Sequence, residues 1–71
     1  MAIELVSVSS SMIAAVGYDA PTQVLDVQFN NGDTYSYDMV PENVYQGFFT
    51  APSAGQYFRN YVKGRYRFFK A

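Results

Sequence analysis

The sequence of 71 residues contains no cysteine and no histidine. Without cysteine there are no disulfides, no thiolate nucleophile and no sulfur-ligated zinc or iron–sulfur site. Without histidine the chain lacks the usual general base and the commonest transition-metal ligand. Charge is scarce too: Asp, Glu, Lys and Arg make up 15% of the residues, against about 25% in ordinary domains. What remains for chemistry is six carboxylates, five cations and the hydroxyl side chains. A two-carboxylate mechanism needs a pair held within several ångströms. Asp26 and Asp38 are candidates for cross-strand neighbours, but both fall on polar, solvent-facing strand positions. The expectation is a binding module rather than an enzyme, with no catalytic residue, no metal site and no cofactor.

Long apolar runs are missing as well, and none approaches the roughly 20 residues that cross a bilayer. Met1-Ala2-Ile3-Glu4 has neither the basic region nor the apolar stretch of a secretion signal. A cytoplasmic protein with no membrane partner is expected, and the absence of cysteine fits a reducing compartment. The chain has room for one domain, residues 1–71. A domain of this size buries a modest core and is usually steadied by a staple or a partner.

What is abundant is aromatic: Phe and Tyr supply 18% of the chain. So many rings with so few charges predict an exposed apolar patch and a homo-oligomer. The charges are sorted along the sequence. All six acids (Glu4, Asp19, Asp26, Asp33, Asp38, Glu42) precede residue 43, and all five cations (Arg59, Lys63, Arg65, Arg67, Lys70) follow residue 58. The net charge of −1 thus conceals an acidic first part and a basic last segment.

From Ile3 to Tyr18 the residues favour extended backbone, interrupted at Ser9-Ser10-Ser11. Ile13 and Val16 have a helix-like spacing of three, whereas Gly17 and the turn Asp19-Ala20-Pro21-Thr22 point to a strand ending in a bend, with a bulge as one option. Leu25, Val27 and Phe29 alternate with Asp26 and Gln28, the period of a half-buried strand. Asn30-Asn31-Gly32-Asp33 predicts a type I′ hairpin turn. A second alternating strand follows over residues 34–39, with Tyr35, Tyr37 and Met39 on one side. Pro41 and Glu42 suit a helix start, and Val44, Tyr45, Phe48 and Phe49 form one helical face that ends at Pro52. Ser53-Ala54-Gly55-Gln56 has the spacing of a capping box. The helix it opens is expected to bury Tyr57, Phe58, Tyr61 and Val62 and to stop at Gly64. Arg65-Tyr66-Arg67-Phe68 alternates as a last extended segment. The predicted class is α+β: a small antiparallel sheet of three to four strands with two short helices on one face, in the order β-β-β-α-α-β.

These residues resemble the KTSC domain, a short module named for the C-terminus of some lysyl-tRNA synthetases and found alone in bacterial and phage proteins. The resemblance rests on Ser10-Ser11-x-Ile13, Val16-Gly17-Tyr18-Asp19, Leu25-x-Val27-x-Phe29, Gly32, Tyr35-x-Tyr37 and Val40-Pro41. It continues through Tyr45, Ala51-x-Ser53-x-Gly55-x-Tyr57-Phe58, Asn60 and Tyr66, and departs in the aromatic tail Arg67-Phe68-Phe69-Lys70. It implies a bacterial host cytoplasm and no settled activity; RNA binding is suggested by association with a tRNA-handling enzyme.

Candidate ligand-binding residues follow from side-chain chemistry. Tyr35 and Tyr37, two apart, project from one strand face. They are a stacking platform for bases if that face is open, and core if the helices cover it. From Tyr57 to Lys70 cations interleave with rings, a pattern that suits phosphates and bases or, equally, a solvated amphipathic surface. The candidates are Tyr35, Tyr37, Arg59, Asn60, Lys63, Arg65, Tyr66 and Arg67. Ser9-Ser10-Ser11 and the helix start at Ser53 and Gly55 offer hydroxyls and amides, and each also has an ordinary local structural role. The leading expectation is a module that binds RNA or a nucleotide-type small molecule. The alternatives are a phage-encoded homo-oligomeric sponge that sequesters a nucleotide immune signal, and a protein-interaction or structural module.

Overall fold

Ile13 and Val16, three residues apart, are both fully buried. A regular strand sends positions of odd spacing to opposite faces. A β-bulge between Ile13 and Ala15 adds a residue on this strand and turns both side chains to the same face. The helix-like spacing is therefore a bulged strand.

The computed structural model describes residues 3–70. Met1 and Ala2, part of the N-terminal stretch read above for a secretion signal, lie outside the described residues, as does Ala71. Five strands form one antiparallel sheet: β1 (Val6–Ser7), β2 (Ile13–Asp19), β3 (Val24–Phe29), β4 (Thr34–Tyr37) and β5 (Phe68–Lys70), in the order β1-β2-β3-β4-β5. Helices α1 (Glu42–Thr50) and α2 (Ala54–Tyr61) come between β4 and β5. The α+β class stands, and the order becomes β-β-β-β-α-α-β because Ser10 splits the first extended run in two. Its Oγ accepts from the backbone N–H groups of Met12 (3.1 Å) and Ile13 (3.2 Å), a local turn.

The central hairpin is where expected, but its turn is different. The Gly32 N–H donates to the Phe29 carbonyl (3.0 Å) and the Phe29 N–H donates to the Asp33 carbonyl (2.8 Å). Among the non-glycine residues described, only Gln23 and Met39 have positive φ, so Asn31 does not, whereas Gly32 sits at φ 97°. This is a type I turn closed by a glycine in the left-handed region, the three-residue loop, rather than type I′. β4 also stops at Tyr37. Met39, at φ 56°, bends out and is 69% exposed instead of sharing the face of Tyr35 and Tyr37. Asp26 pairs with Ser36, which donates to it at 2.7 Å, and not with Asp38.

Pro41 is the cap of α1 rather than its first residue, with an extended ψ of 148°. Ala51 ends α1 in the extended conformation that a following proline imposes. Ser53 Oγ accepts from the Gln56 N–H at 3.3 Å and opens α2. Phe58 and Val62 are buried as the helical face requires, Tyr57 is half-buried, and Tyr61 is exposed. The final strand begins at Phe68, later than the alternation from Arg65 suggested.

Both helices pack on one face of the sheet. Leu25, Val27, Ile13 and Val16 meet Val40, Phe48, Ala54, Phe58 and Val62 in a continuous core that also holds Tyr37. Among the described residues no buried side-chain nitrogen or oxygen lacks a partner, and no helix is long and apolar enough to cross a membrane.

Candidate functional site

Strand register decides which rings meet. Leu25 lies opposite Tyr37 and Val27 opposite Tyr35, so both tyrosines share the helix-covered face. On the far side of β4, Tyr37 pairs with Phe68 and Tyr35 with Lys70, which turns Phe68 to that face too. Phe29, last in β3, projects from it with Leu25 and Val27, and α2 lowers Phe58 onto it.

The result is a closed circuit of five rings. Phe29 contacts Tyr35 edge-on (centroids 5.7 Å), Tyr35 contacts Phe68 (5.8 Å), and Phe68 contacts Tyr37 (5.6 Å). Tyr37 meets Phe58 (5.6 Å), and Phe58 returns to Phe29 (5.3 Å). Three of the contacts are edge-to-face, which suits ring quadrupoles, and the two that Phe68 makes are tilted. The circuit lines a cleft of about 560 Å³, completed by Met12, Gly64, Arg59 and Lys63. Its floor and rim differ: Tyr37 and Phe58 are buried, Phe29 and Tyr35 are half-buried, and Phe68 is 55% exposed.

The electrostatics have one sign. The cleft is lined by two cations and no carboxylate. Both cations are exposed, and among the described residues the one ion pair is Lys70 with Asp33 at 3.5 Å. Burial first, and then neighbouring Tyr35, hold the Tyr37 phenol above its ordinary range. The arrangement offers an aromatic surface to a flat apolar group and positive charge at the mouth.

Of the residues singled out in the sequence, the structure brings Tyr35, Tyr37, Arg59 and Lys63 together around this cleft. Tyr37 belongs to the core, as one of the two readings expected, and Tyr35 packs against it while remaining half-buried. The other four lie off the cleft lining. The Arg65 Nε donates to the Asn60 carbonyl (3.1 Å) and so satisfies an end group of α2. Tyr66 packs against the core, and the Arg67 carbonyl accepts from the Asp38 N–H (2.8 Å). Sequence reasoning missed Met12, Phe29, Phe58, Gly64 and Phe68 as cleft residues. Phe29 and Phe58 had been assigned to the core, and only the pairing of β4 with β5 reveals Phe68. Ser10 and Ser53 serve local backbone bonds, as above. Among the described residues no group of His, Asp or Glu side chains is placed to hold a metal ion.

The KTSC domain family model matches residues 9–66. In the crystal structure of a KTSC domain protein from Yersinia pestis the same fold recurs, with a TM-score of 0.91 and 39% identity over 99% of both chains. A protein of Stutzerimonas stutzeri is 36% identical over 66 residues, covering 92% of this chain and 93% of that one. A lysine–tRNA ligase of Nostoc punctiforme is 35% identical over 68 residues, 96% of this chain but 12% of the ligase. The chain therefore spans a small part of the ligase it matches. The match with the family model stops before Phe68, so that wall of the cleft lies outside it. On the strength of the matched segment and the shared fold, this chain belongs to the KTSC domain family.

Proposed function

We propose that this chain is a non-enzymatic binding module for RNA or a nucleotide-type anion, held in the cleft between β4, β5 and α2. One observation carries the reading: five rings in a closed circuit, with Arg59 and Lys63 as the charged groups at the mouth. Rings offer stacking surface to a base, and the cations offer charge to its phosphates. Quaternary ammonium groups also favour aromatic cages, but two cations at the rim oppose them. The likeness to a segment of lysine–tRNA ligases, proteins named for acting on a transfer RNA, leans the same way by analogy. The test is titration calorimetry of the protein with short RNAs and a panel of nucleotides, beside the Arg59→Ala/Lys63→Ala variant. Binding that is lost in the variant while its melt is unchanged supports the reading. No binding to any of the panel at up to about 1 mM removes it and gives first place to a protein partner.

A second reading is favoured by β5, an edge strand on which Phe68 and Phe69 are each 55% exposed. Open strand edges template pairing with another chain, and two copies joined there would bring their clefts to one interface, as a sponge for a nucleotide signal would require. Sedimentation showing only monomer across the micromolar range would remove this reading.

A further inference from the structure

We infer that the cleft takes one unpaired base of a single-stranded nucleic acid and does not read which base it is. The inference rests on the function proposed above and narrows it to a ligand class.

Two observations carry it. The first is what the rings present. A base within a duplex has its faces covered by its neighbours, leaving edges and phosphates, whereas an unstacked base exposes the π-face that aromatic side chains bind. A cleft of about 560 Å³ falls in the range that holds one drug-sized molecule, about 300–1,000 Å³, and is far too small to admit a helix. The floor, Tyr37 and Phe58, is fixed in the core, while Phe68 stands open to solvent, so a base can enter with its backbone outside.

The second is what the cleft lacks. Base identity is read by groups whose donors and acceptors are fixed: Asn, Gln, Asp or Glu side chains, none of which lines the cleft, and Arg or Lys on guanine, a role that the phosphate contacts proposed above for Arg59 and Lys63 leave unfilled. Its polar side chains other than the cations are the tyrosines, and a phenolic hydroxyl both donates and accepts, so it can follow any base edge. Stacking itself tolerates every base.

The cations set a further limit. Arg59 lies on α2 and Lys63 just beyond it, four residues on, about one helical turn apart and on the same side. Two cations neutralise at most two phosphates. The salt dependence of log K should then be shallow, with a slope of about −1.4 at most, from roughly −0.7 per phosphate on single strands.

The experiment is fluorescence anisotropy with labelled five-nucleotide strands of uniform U, A or C, and a U strand with G at its centre, in RNA and DNA form. A strand with a run of abasic sites, a blunt duplex, the free mononucleotides and octanoate complete the panel. The uniform strands are expected to bind within about tenfold of one another. The abasic strand and the duplex should bind weaker by about 5- to 150-fold, the factor that one stacked base contributes. Phe68→Ala should cause a loss of similar size in the uniform strands and none in the abasic one. Equal binding of the duplex, or a preference for one base, guanine included, beyond about tenfold, overturns the inference and leaves the nucleotide-type reading standing. Binding of mononucleotides without strands does the same. Binding of octanoate alone, or of nothing, overturns both.

Discussion

The hydroxyl of Tyr57 passes over the Cα of Gly47 to donate to the carbonyl of Val44 at 2.9 Å. This crossing fastens α2 to α1, and it exists because position 47 has no side chain: a Cβ there would overlap the Tyr57 ring and hydroxyl. Gly47→Ala should therefore destabilise the fold by about 1–3 kcal/mol despite the better helix propensity of alanine. Tyr57→Phe should cost about 1 kcal/mol. Urea melts of the two variants and their combination check the relation, and the double variant should lose less than the sum of the two.

Gly32 makes a different demand. At φ 97° it occupies a region that a β-branched residue enters only with strain, although a Cβ there meets no neighbouring atom. Gly32→Val should lower stability by about 1–3 kcal/mol, and Gly32→Asn by less, because asparagine tolerates the left-handed region. A thermal melt of the valine variant indistinguishable from the parent would contradict the turn described.

The two tyrosines of β4 should separate by assay. Tyr37 is 5% exposed and sits in the core, so Tyr37→Leu should cost stability of about 1–3 kcal/mol. Tyr35 is half-buried on the cleft wall, so Tyr35→Leu should mainly weaken ligand binding, by about 1–3 kcal/mol if it stacks on a base. Arg65→Ala is the internal control. Its guanidinium serves the Asn60 carbonyl, and calorimetry should find ligand affinity unchanged.

Alkaline pH tests the buried and half-buried phenols. Burial is the first cause that raises the pKa values of Tyr18, Tyr37, Tyr45 and Tyr57 above 10.0. The unfolded chain releases these protons at about pH 10, while the folded chain keeps them to higher pH. Their contribution is thus fully present below pH 10 and is lost as pH rises through the raised folded values. Urea midpoints should fall across that window, and less steeply in Tyr57→Phe; a fall no less steep in that variant would count against the Tyr57 assignment.

Much of this architecture is legible in the sequence because it is local. The alternation of Leu25, Val27 and Phe29, the glycine at position 32 and the spacing of Ser53 to Gln56 each specify a short piece of backbone, and each piece is present. The turn type was not legible, because Asn-Gly serves both two- and three-residue loops, and the Phe29 carbonyl settles which. The cleft was half legible. Tyr35 and Tyr37 follow from parity, and Arg59 and Lys63 from the interleaving of cations with rings. Phe68 needs the pairing of β5 with β4, a contact across the helices that no local pattern encodes. Arg65 and Arg67 looked like their cationic neighbours, but one bonds the end of α2 and the other joins the backbone to Asp38.

The buried core includes no residue of β5. The fold thus rests on one set of side chains, and the outermost wall of the cleft on another, carried by three residues at a sheet edge. Changes at Phe68 or Phe69 meet few packing constraints, whereas changes at Tyr37 or Phe58 meet many. A protein built this way can explore new ligands by drift in its tail while its scaffold stays unaltered, much as loops on rigid frameworks do.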